Sequence, residues 1–171
     1  MLGLTALVIK PDIDEPITNE RPFKQAMNHA KNKAMAVAGN LDDKALIIAS
    51  DTVVYCKSQV LGKPETEDEA CQYLNLLSGC SHIVYSAICL LQNRKIMTRY
   101  EKSIVTFQAL TEAEIVNYIK TREPMDKAGA YGIQGFGAQF IERISGCYFN
   151  VMGFPVHLFY QMIRDFYKDI S

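Results

Sequence analysis

A glycine-rich stretch from Pro124 to Ala138 constrains the fold of this chain more than any other feature. Glycine reaches backbone conformations that side chains disfavour, and it lets backbone N–H groups approach a ligand closely. Among these glycines stand Asp126, Lys127 and Gln134. A cation and a carboxamide on such a backbone can bind an anion and a planar polar edge. The stretch predicts a polar ligand loop or, as the open alternative, a turn-rich surface connection.

The order of the glycines excludes two common nucleotide loops. They follow the pattern Gly132-x-x-Gly135-x-Gly137. This differs from G-x-G-x-x-G, which follows a strand and opens a helix in dinucleotide-binding proteins. The phosphate-binding pattern G-x-x-x-x-G-K-[ST] occurs nowhere in the chain. We therefore expect neither an ordinary dinucleotide-binding fold nor a Walker-type NTPase.

Helical periodicity and capping residues predict several helices. Thr18 or Asn19 is expected to cap the first helix, which ends at Gly39. Its apolar face consists of Phe23, Ala26, Met27, Ala30, Ala34, Val37 and Ala38. A later helix opens with a capping box formed by Thr111 and Glu114. The remaining helices are expected at Glu67–Leu77, Glu112–Lys120 and Pro155–Tyr167.

Runs of apolar and β-branched residues predict the strands. These are expected at Met1–Ile9, Ala45–Ala49, Thr52–Cys56, Gln59–Leu61, His82–Leu91, Ile96–Phe107 and Phe140–Ile144. The continuous apolar run Ala45–Ala49 favours a strand that is buried on both faces, and a hairpin is expected to follow it. Strands and helices in this order predict an α/β or α+β domain, built around one sheet that is flanked by helices.

The composition restricts the chain to a few classes of protein. Its 171 residues, 49% of them hydrophobic, suit one compact domain over residues 1–171, with two small lobes as the alternative. A net charge of −1 creates no field that favours nucleic acid or anionic lipid. No apolar run approaches the ~20 residues that cross a bilayer. We therefore expect neither a nucleic-acid partner nor a membrane partner.

Scattered cysteines and histidines argue against a structural metal site. The five cysteines contain no C-x-x-C pair, and the three histidines are equally dispersed. The opening residues lack the charged leader and the cleavage site of a signal peptide. Reduced, mostly buried thiols in a cytoplasmic protein are the expected state.

Asp51 is the strongest single candidate for chemistry. It follows the apolar run Leu46–Ser50, so we expect it at the carboxyl end of a buried strand, where open α/β sheets bind ligands. A carboxylate there can act as a general base or help to hold a divalent metal. The alternative is an Asx-turn that ends the strand.

Further cations and acids add to this candidate site. Lys63 lies in a turn fixed by a glycine and a proline, although an isolated surface lysine is the commoner case. Lys33 adjoins the apolar stripe of the first helix, where it either leans inward or snorkels along the core edge. Asp14 and Glu15 either supply metal-binding oxygens or form a solvated turn. Together these groups suit a phosphorylated ligand with a planar polar head, plus Mg²⁺ or Mn²⁺.

Five segments carry a family resemblance: Ala49–Val54, Leu61–Pro64, Leu76–Gly79, Asp126–Gly135 and Gly146–Pro155. They resemble the Maf family of nucleoside triphosphate pyrophosphatases, and the similarity runs from Leu2 to the final helix. The resemblance implies hydrolysis of a nucleoside triphosphate to the monophosphate and diphosphate with a divalent metal. It also implies a mixed α/β sheet similar to that of inosine triphosphate pyrophosphatase, commonly in a homodimer. The glycine loop is similar to that of the branch preferring dTTP and UTP.

The resemblance also implies a role for each candidate residue. Asp51 would be the proton acceptor that activates water. Thr52 and Gln134 would help to select the base, while Lys33 and Lys63 would bind phosphate. The substrate-binding set would be Thr52, Lys33, Lys63, Lys127 and Gln134. The metal ligands would be Asp51, Glu15 and Asp14.

The chain departs from the family at its start. Family members begin with a strand and a Ser-x-Ser-Pro-Arg-Arg loop that binds the triphosphate, whereas here Met1 directly precedes the matching segment Leu2–Leu4. We therefore expect an N-terminally truncated Maf fold with an unpaired sheet edge and weaker phosphate binding. Two alternatives stay open. Either the natural product starts further upstream, or this is a catalytically impaired homologue that binds nucleotide or dimerises.

Overall fold

The computed structural model describes residues 5–39 and 41–168 of the chain. Its strands are β1 (Ile47–Cys56), β2 (Gln59–Leu61), β3 (Ser81–Gln92), β4 (Lys95–Phe107) and β5 (Ile141–Ser145). Its helices are α1 (Pro22–Ala38), α2 (Glu67–Leu77), α3 (Glu112–Lys120), α4 (Tyr148–Val151) and α5 (Val156–Lys168). Short 3₁₀ turns at Glu123–Asp126, Ala128–Ala130 and Phe136–Phe140 carry the glycine-rich stretch. None of the helices in these ranges has the length and apolar character that a bilayer crossing requires.

One five-stranded sheet organises the molecule, in the spatial order β2-β1-β3-β4-β5. Every strand pair in the described residues is antiparallel. The predicted α/β architecture with helices around a central sheet is confirmed. Because β1 and β3 pair over most of their length, they form the rigid centre on which the site is built.

Helices cover both faces of the sheet. On one face α1 packs Ala26, Ala30 and Ala34 against Val53 and Ala87. These alanines are fully buried, and their small side chains bring the helix close to the sheet. On the other face, α5 covers Ile88 and Leu90 in the second half of β3, while α2, α3 and the glycine-rich stretch pack around Val84 in its first half. Strand β3 is consequently buried on both sides.

The two helices with clear capping residues, α2 and α3, match their predicted limits. Helices α2 and α3 begin and end where the sequence predicts, and the capping box of Thr111 and Glu114 is confirmed. Helix α1 instead begins at Pro22, so Thr18 and Asn19 do not cap it, and Arg21 makes no side-chain cap bond. Proline at the first helical position explains this start, because its fixed φ suits the helix and its missing N–H needs no cap.

The sequence prediction of β1 was wrong in two respects. The strand runs without a break from Ile47 to Cys56, so Asp51 lies in its middle and not at its carboxyl end. Ile48 is 38% exposed, so the apolar run is not buried on both faces. A carboxylate is tolerated in the middle of the strand because Lys33 and His29 of α1 contact it. No other described strand lies along Ile47–Val53 on the side away from β3, which leaves the expected unpaired edge.

Two further strand predictions also need correction. Thr5 to Ile9 contains no strand, and Leu7 and Val8 are exposed, because no neighbouring strand in the described residues offers hydrogen-bond partners there. The first part of that predicted strand, residues 1–4, lies outside the described residues. Strand β5 starts one residue later than predicted because buried Phe140 closes the preceding 3₁₀ turn.

Candidate active site

A cleft of about 980 Å³ runs along the unpaired edge of β1. Consecutive residues from Ser50 to Val54 all line it, so both faces of this strand contribute side chains. The cleft brings together seven of the eight predicted site residues: Glu15, Lys33, Asp51, Thr52, Lys63, Lys127 and Gln134. Asp14 does not line the cleft, and its side chain is exposed. Of the two neighbouring acids, Glu15 is the one that reaches the cleft.

Asp51 is the buried anionic centre of the cleft, with 8% of its surface exposed. Lys33 of α1 donates a hydrogen bond from Nζ to Asp51 Oδ1 at 2.6 Å. The same Nζ lies 2.5 Å from Oε1 of Glu15. One ammonium therefore holds two carboxylates, one from the sheet and one from the segment before α1. The inward-leaning alternative for Lys33 is confirmed.

These charges alter the pKa of Lys33. Burial lowers this pKa, but the attraction of Asp51 and its hydrogen bond, together with Glu15, raises it by more. The net effect is a pKa above the ordinary value for lysine, so Lys33 stays protonated at neutral pH. A fixed positive charge at this point can orient Asp51 and attract an anionic ligand.

His29 is a further site residue, which the sequence analysis missed. Its Nδ1 lies 3.3 Å from Asp51 Oδ2, and its Nε2 lies 3.2 Å from the carbonyl oxygen of Pro16. The hydrogen bond to Asp51 raises the pKa of His29 above its ordinary value, although burial opposes the rise. The available signal was the spacing of His29 and Lys33, since residues four apart share one face of a helix.

Thr52 and Ser50 point to the sheet face opposite Asp51, since side chains alternate along a strand. Thr52 Oγ1 lies 2.8 Å from Ser86 Oγ on the neighbouring strand β3. Ser50 Oγ lies 2.8 and 2.6 Å from the carbonyl oxygens of Ala87 and Gly153, which share its single hydroxyl proton. Both hydroxyls are thereby held in fixed positions.

The glycine-rich stretch is organised by Glu123, which the sequence analysis also missed. Its carboxylate accepts hydrogen bonds from Tyr118 Oη at 2.9 Å, from Phe136 N at 2.7 Å and from Gly137 N at 3.1 Å. Burial and the bond to Glu123 raise the pKa of Tyr118, so its hydroxyl stays a donor. Two of these donors, Phe136 N and Gly137 N, closely follow Gln134 in the chain, so Glu123 anchors the backbone next to that residue. The only sequence signal was an acid directly before a proline.

The packing of Glu123 explains why glycines recur in this stretch. A Cβ atom on Gly135 would collide with the carboxylate of Glu123, and one on Gly137 would lie 2.6 Å from Tyr118 Oη. Gly129 has φ +71°, and a Cβ there would meet Val54 at 2.9 Å. The glycines therefore permit close packing under the loop.

Lys63 and Lys127 bring two further cations to the same cleft. The turn before Lys63 is joined to the loop because Gly129 N donates to Gly62 O at 2.9 Å. Lys127 Nζ bonds Asp126 Oδ1 at 2.5 Å. With Lys33, three ammonium groups line the cleft, and two of them, Lys33 and Lys127, are ion-paired with carboxylates of the protein. A ligand with negatively charged oxygens would share these cations with the carboxylates.

The acids of the cleft suit a divalent metal that arrives with its ligand. Within residues 5–39 and 41–168, no group of three or more His, Cys, Asp or Glu residues could hold a metal ion by itself. Mg²⁺, however, usually binds one or two carboxylates together with substrate phosphates and water. Asp51 and Glu15, which converge on one ammonium, could supply such a pair.

The sequence matches the family described as "Maf-like protein" over residues 1–166. A relative from Syntrophomonas wolfei is 45% identical over 165 residues, covering 95% of this chain and 87% of the relative. One from Clostridium tetani is 45% identical over 163 residues, covering 92% and 85%. One from Aquifex aeolicus is 39% identical over 165 residues, covering 96% and 86%. All three relatives are named dTTP/UTP pyrophosphatase.

Proposed function

This chain belongs to the Maf family, and we propose that it hydrolyses dTTP and UTP to the nucleoside monophosphate and diphosphate. The names of the relatives support this activity. The observation that carries it is the shared cleft of Asp51 and Gln134, which puts a candidate base and a candidate nucleobase reader in one pocket. Residues far apart in sequence thereby meet as the proposed reaction requires.

In the proposed reaction, Asp51 acts as the general base. Its carboxylate takes a proton from water while the water oxygen forms a bond to the α-phosphorus. The bond from that phosphorus to the bridging oxygen breaks, and diphosphate leaves with the electron pair. Lys33 keeps the carboxylate oriented through the 2.6 Å hydrogen bond, and His29 restrains its other oxygen.

The lysines of the cleft bind the triphosphate in this proposal. Lys33, Lys63 and Lys127 all line the cleft, so the anionic oxygens meet positive charge. Hydrogen bonds between ionised partners are roughly twice as strong as neutral ones. Asp51 and Glu15 would hold Mg²⁺ or Mn²⁺ beside the phosphates. Such a metal would neutralise phosphate charge and stabilise the charge that develops during displacement.

Thr52 and Gln134 read the base in the same proposal. A carboxamide both donates and accepts hydrogen bonds, which suits the carbonyl oxygens and imide N–H of uracil or thymine. Gln134 is exposed and lines the cleft, two residues before Phe136, whose backbone N–H donates to Glu123. We further propose that the protein forms a homodimer and that it is located in the cytoplasm. The free state of all five cysteines supports a reducing compartment.

The test is turnover of the full chain with dTTP, UTP and Mg²⁺, followed by chromatography of the products. We expect monophosphate and diphosphate, and no turnover after the metal is chelated. Asp51→Asn should lose activity, while Asp43→Asn, on an exposed residue, should retain it. Release of inorganic phosphate and a nucleoside diphosphate would contradict the proposed cleavage. Nucleotide-dependent thermal stabilisation without turnover would favour a binding protein.

A further inference from the structure

A count of hydroxyl protons decides the direction of the hydrogen bond between Thr52 and Ser86. The two hydroxyl oxygens are 2.8 Å apart, so one of them donates. Ser86 Oγ also lies 2.7 Å from the backbone carbonyl oxygen of Asn150, which can only accept. A serine hydroxyl has one proton, and Ser86 donates it to Asn150. Thr52 must therefore donate its own proton to Ser86.

Asn150 keeps this arrangement fixed. It is fully buried, and its Oδ1 accepts from the backbone N–H of Ser86 at 3.0 Å. Its Nδ2 donates to Val84 O and to Ser103 Oγ, both at 3.0 Å. The carboxamide orientation follows from these partners, since Oδ1 faces a donor and Nδ2 faces a carbonyl. Four bonds therefore hold Asn150 to strands β3 and β4.

As a result, Thr52 presents only lone pairs to the cleft. Its single proton points to Ser86, so its oxygen can accept a hydrogen bond from a ligand but cannot donate one. Gly153 leaves room beside that oxygen, since a Cβ there would lie 3.1 Å from Thr52 Oγ1. A phosphate or carbonyl oxygen is a poor partner at this point, because two acceptors repel. The site requires an N–H or O–H group.

We infer that Ser86 is a specificity-determining positioning residue, which makes Thr52 an obligate acceptor for the N3–H of uracil or thymine. This inference rests on the proposed function. Cytosine has a lone pair at N3 in place of the imide N–H, so it would face the lone pairs of Thr52. Gln134 can donate to a neighbouring carbonyl of the base. Ser86, which lines no part of the cleft, thereby excludes cytosine through Thr52.

The test compares UTP with CTP in wild type, Ser86→Ala and Ser103→Ala. Without Ser86 Oγ, the Thr52 hydroxyl is free to rotate and donate to cytosine N3. Ser86→Ala should therefore reduce the UTP/CTP ratio of kcat/KM by roughly tenfold or more. Ser103 is the matched control, because it is also a buried serine bonded to Asn150. Ser103→Ala should keep the wild-type ratio.

A result in which Ser86→Ala slows UTP and CTP equally would overturn the inference, since it would indicate a purely structural role. If Ser86→Ala does not fold, Thr52→Val serves instead, because valine is isosteric and has no acceptor. It should lose the preference for uracil, whereas Thr52→Ser should keep it. An unchanged ratio in Thr52→Val would equally overturn the inference.

Binding of UMP and CMP separates this inference from the proposed activity. Calorimetric affinities of both nucleotides are measured for the same variants. A wild type that prefers UMP and does not hydrolyse UTP, together with a loss of that preference in Ser86→Ala, would contradict the proposed function and still support the role of Ser86. Turnover of UTP, with the same UTP/CTP ratio of kcat/KM in Ser86→Ala and wild type, would support the proposed function and contradict the role of Ser86.

Discussion

The Nζ atom of Lys33 lies 2.6 Å from Oδ1 of Asp51, and this ion pair joins helix α1 to strand β1 at the wall of the cleft. Both side chains are largely shielded from water, so the attraction between them is less screened than in a surface pair. The same ammonium also forms a salt bridge with Glu15. Orientation of Asp51 therefore depends on a residue from a different layer of the fold.

Replacing Lys33 should impair catalysis. In Lys33→Gln we expect kcat/KM for UTP to fall roughly 100-fold, because Asp51 loses its orienting donor and the triphosphate loses a cation. Steady-state diphosphate release measures the effect. Lys31→Gln is the control, since Lys31 is exposed on the same helix. Equal losses in the two variants would contradict an orienting role for the pair.

Replacing Glu123 should weaken substrate binding more than it slows chemistry. Glu123→Gln keeps the size of the side chain but puts an NH₂ group where one carboxylate oxygen accepts from the loop. We expect KM for UTP to rise roughly tenfold, with kcat within about twofold of wild type. Glu142→Gln, on an exposed acid of β5, should change neither value. A fall in kcat alone would argue against a role in holding Gln134.

His82 should make the fold sensitive to mild acid. It is buried, and its Nε2 lies 2.8 Å from Tyr131 Oη. Burial lowers the pKa of His82 from 6.5 to about 4. Well above pH 6.5 the imidazole is neutral in both the folded and the unfolded state. In that range His82 therefore contributes no pH dependence to the free energy of unfolding. Between pH 6.5 and about 4 mainly the unfolded state binds the proton, so the free energy of unfolding falls by about 1.4 kcal/mol per pH unit.

Urea unfolding at pH 7 and pH 5 measures this effect. The wild type should lose about 2 kcal/mol more than His82→Gln over this interval. Glutamine retains a polar group near Tyr131 but does not titrate. His157→Gln, on an exposed residue of α5, should behave like wild type. An equal loss in wild type and His82→Gln would assign the acid sensitivity to other groups.

Gly129→Ala should destabilise the fold by about 2–4 kcal/mol. Its φ of +71° disfavours a side chain, and the new Cβ would lie 2.9 Å from Val54 in the core. Gly39→Ala is the matched control, because Gly39 has a helical φ of −61° and, apart from its chain neighbours and the backbone of its own helix, no described atom lies within 4 Å of the place that its methyl group would take. It should be neutral or stabilise by up to about 1 kcal/mol. Thermal and urea unfolding measure both variants, and similar effects of the two would contradict the packing argument.

Local signals in the sequence predicted much of the secondary structure. Helices α2 and α3 were predicted to the residue, because their caps and first-turn acids act within a few positions of the chain. The family resemblance, carried by the string from Asp126 to Gly135, is confirmed by the match over residues 1–166. The structure places Asp51 and Gln134, which are far apart in the sequence, in the same cleft. The catalytic and binding roles of the individual residues stay predictions.

The continuation of β1 through Asp51 was not predictable from local sequence. A carboxylate after an apolar run normally indicates a turn, since a buried charge is costly without a partner. Here Lys33 and His29 of α1 supply the partners. Asp14 was assigned with Glu15, but only Glu15 turns towards Lys33. Both outcomes depend on how α1 lies across the sheet.

By itself, the sequence determined helices α2, α3 and α5, most strand positions and the set of polar groups available for chemistry. Tertiary structure alone decided that His29 would contact Asp51, that Glu123 would hold the loop of Gln134, and that Ser86 would accept a hydrogen bond from Thr52. The physical reason is range. Caps and periodicity act over one helical turn, whereas these contacts require strands and helices from distant parts of the chain to pack before any hydrogen bond can form.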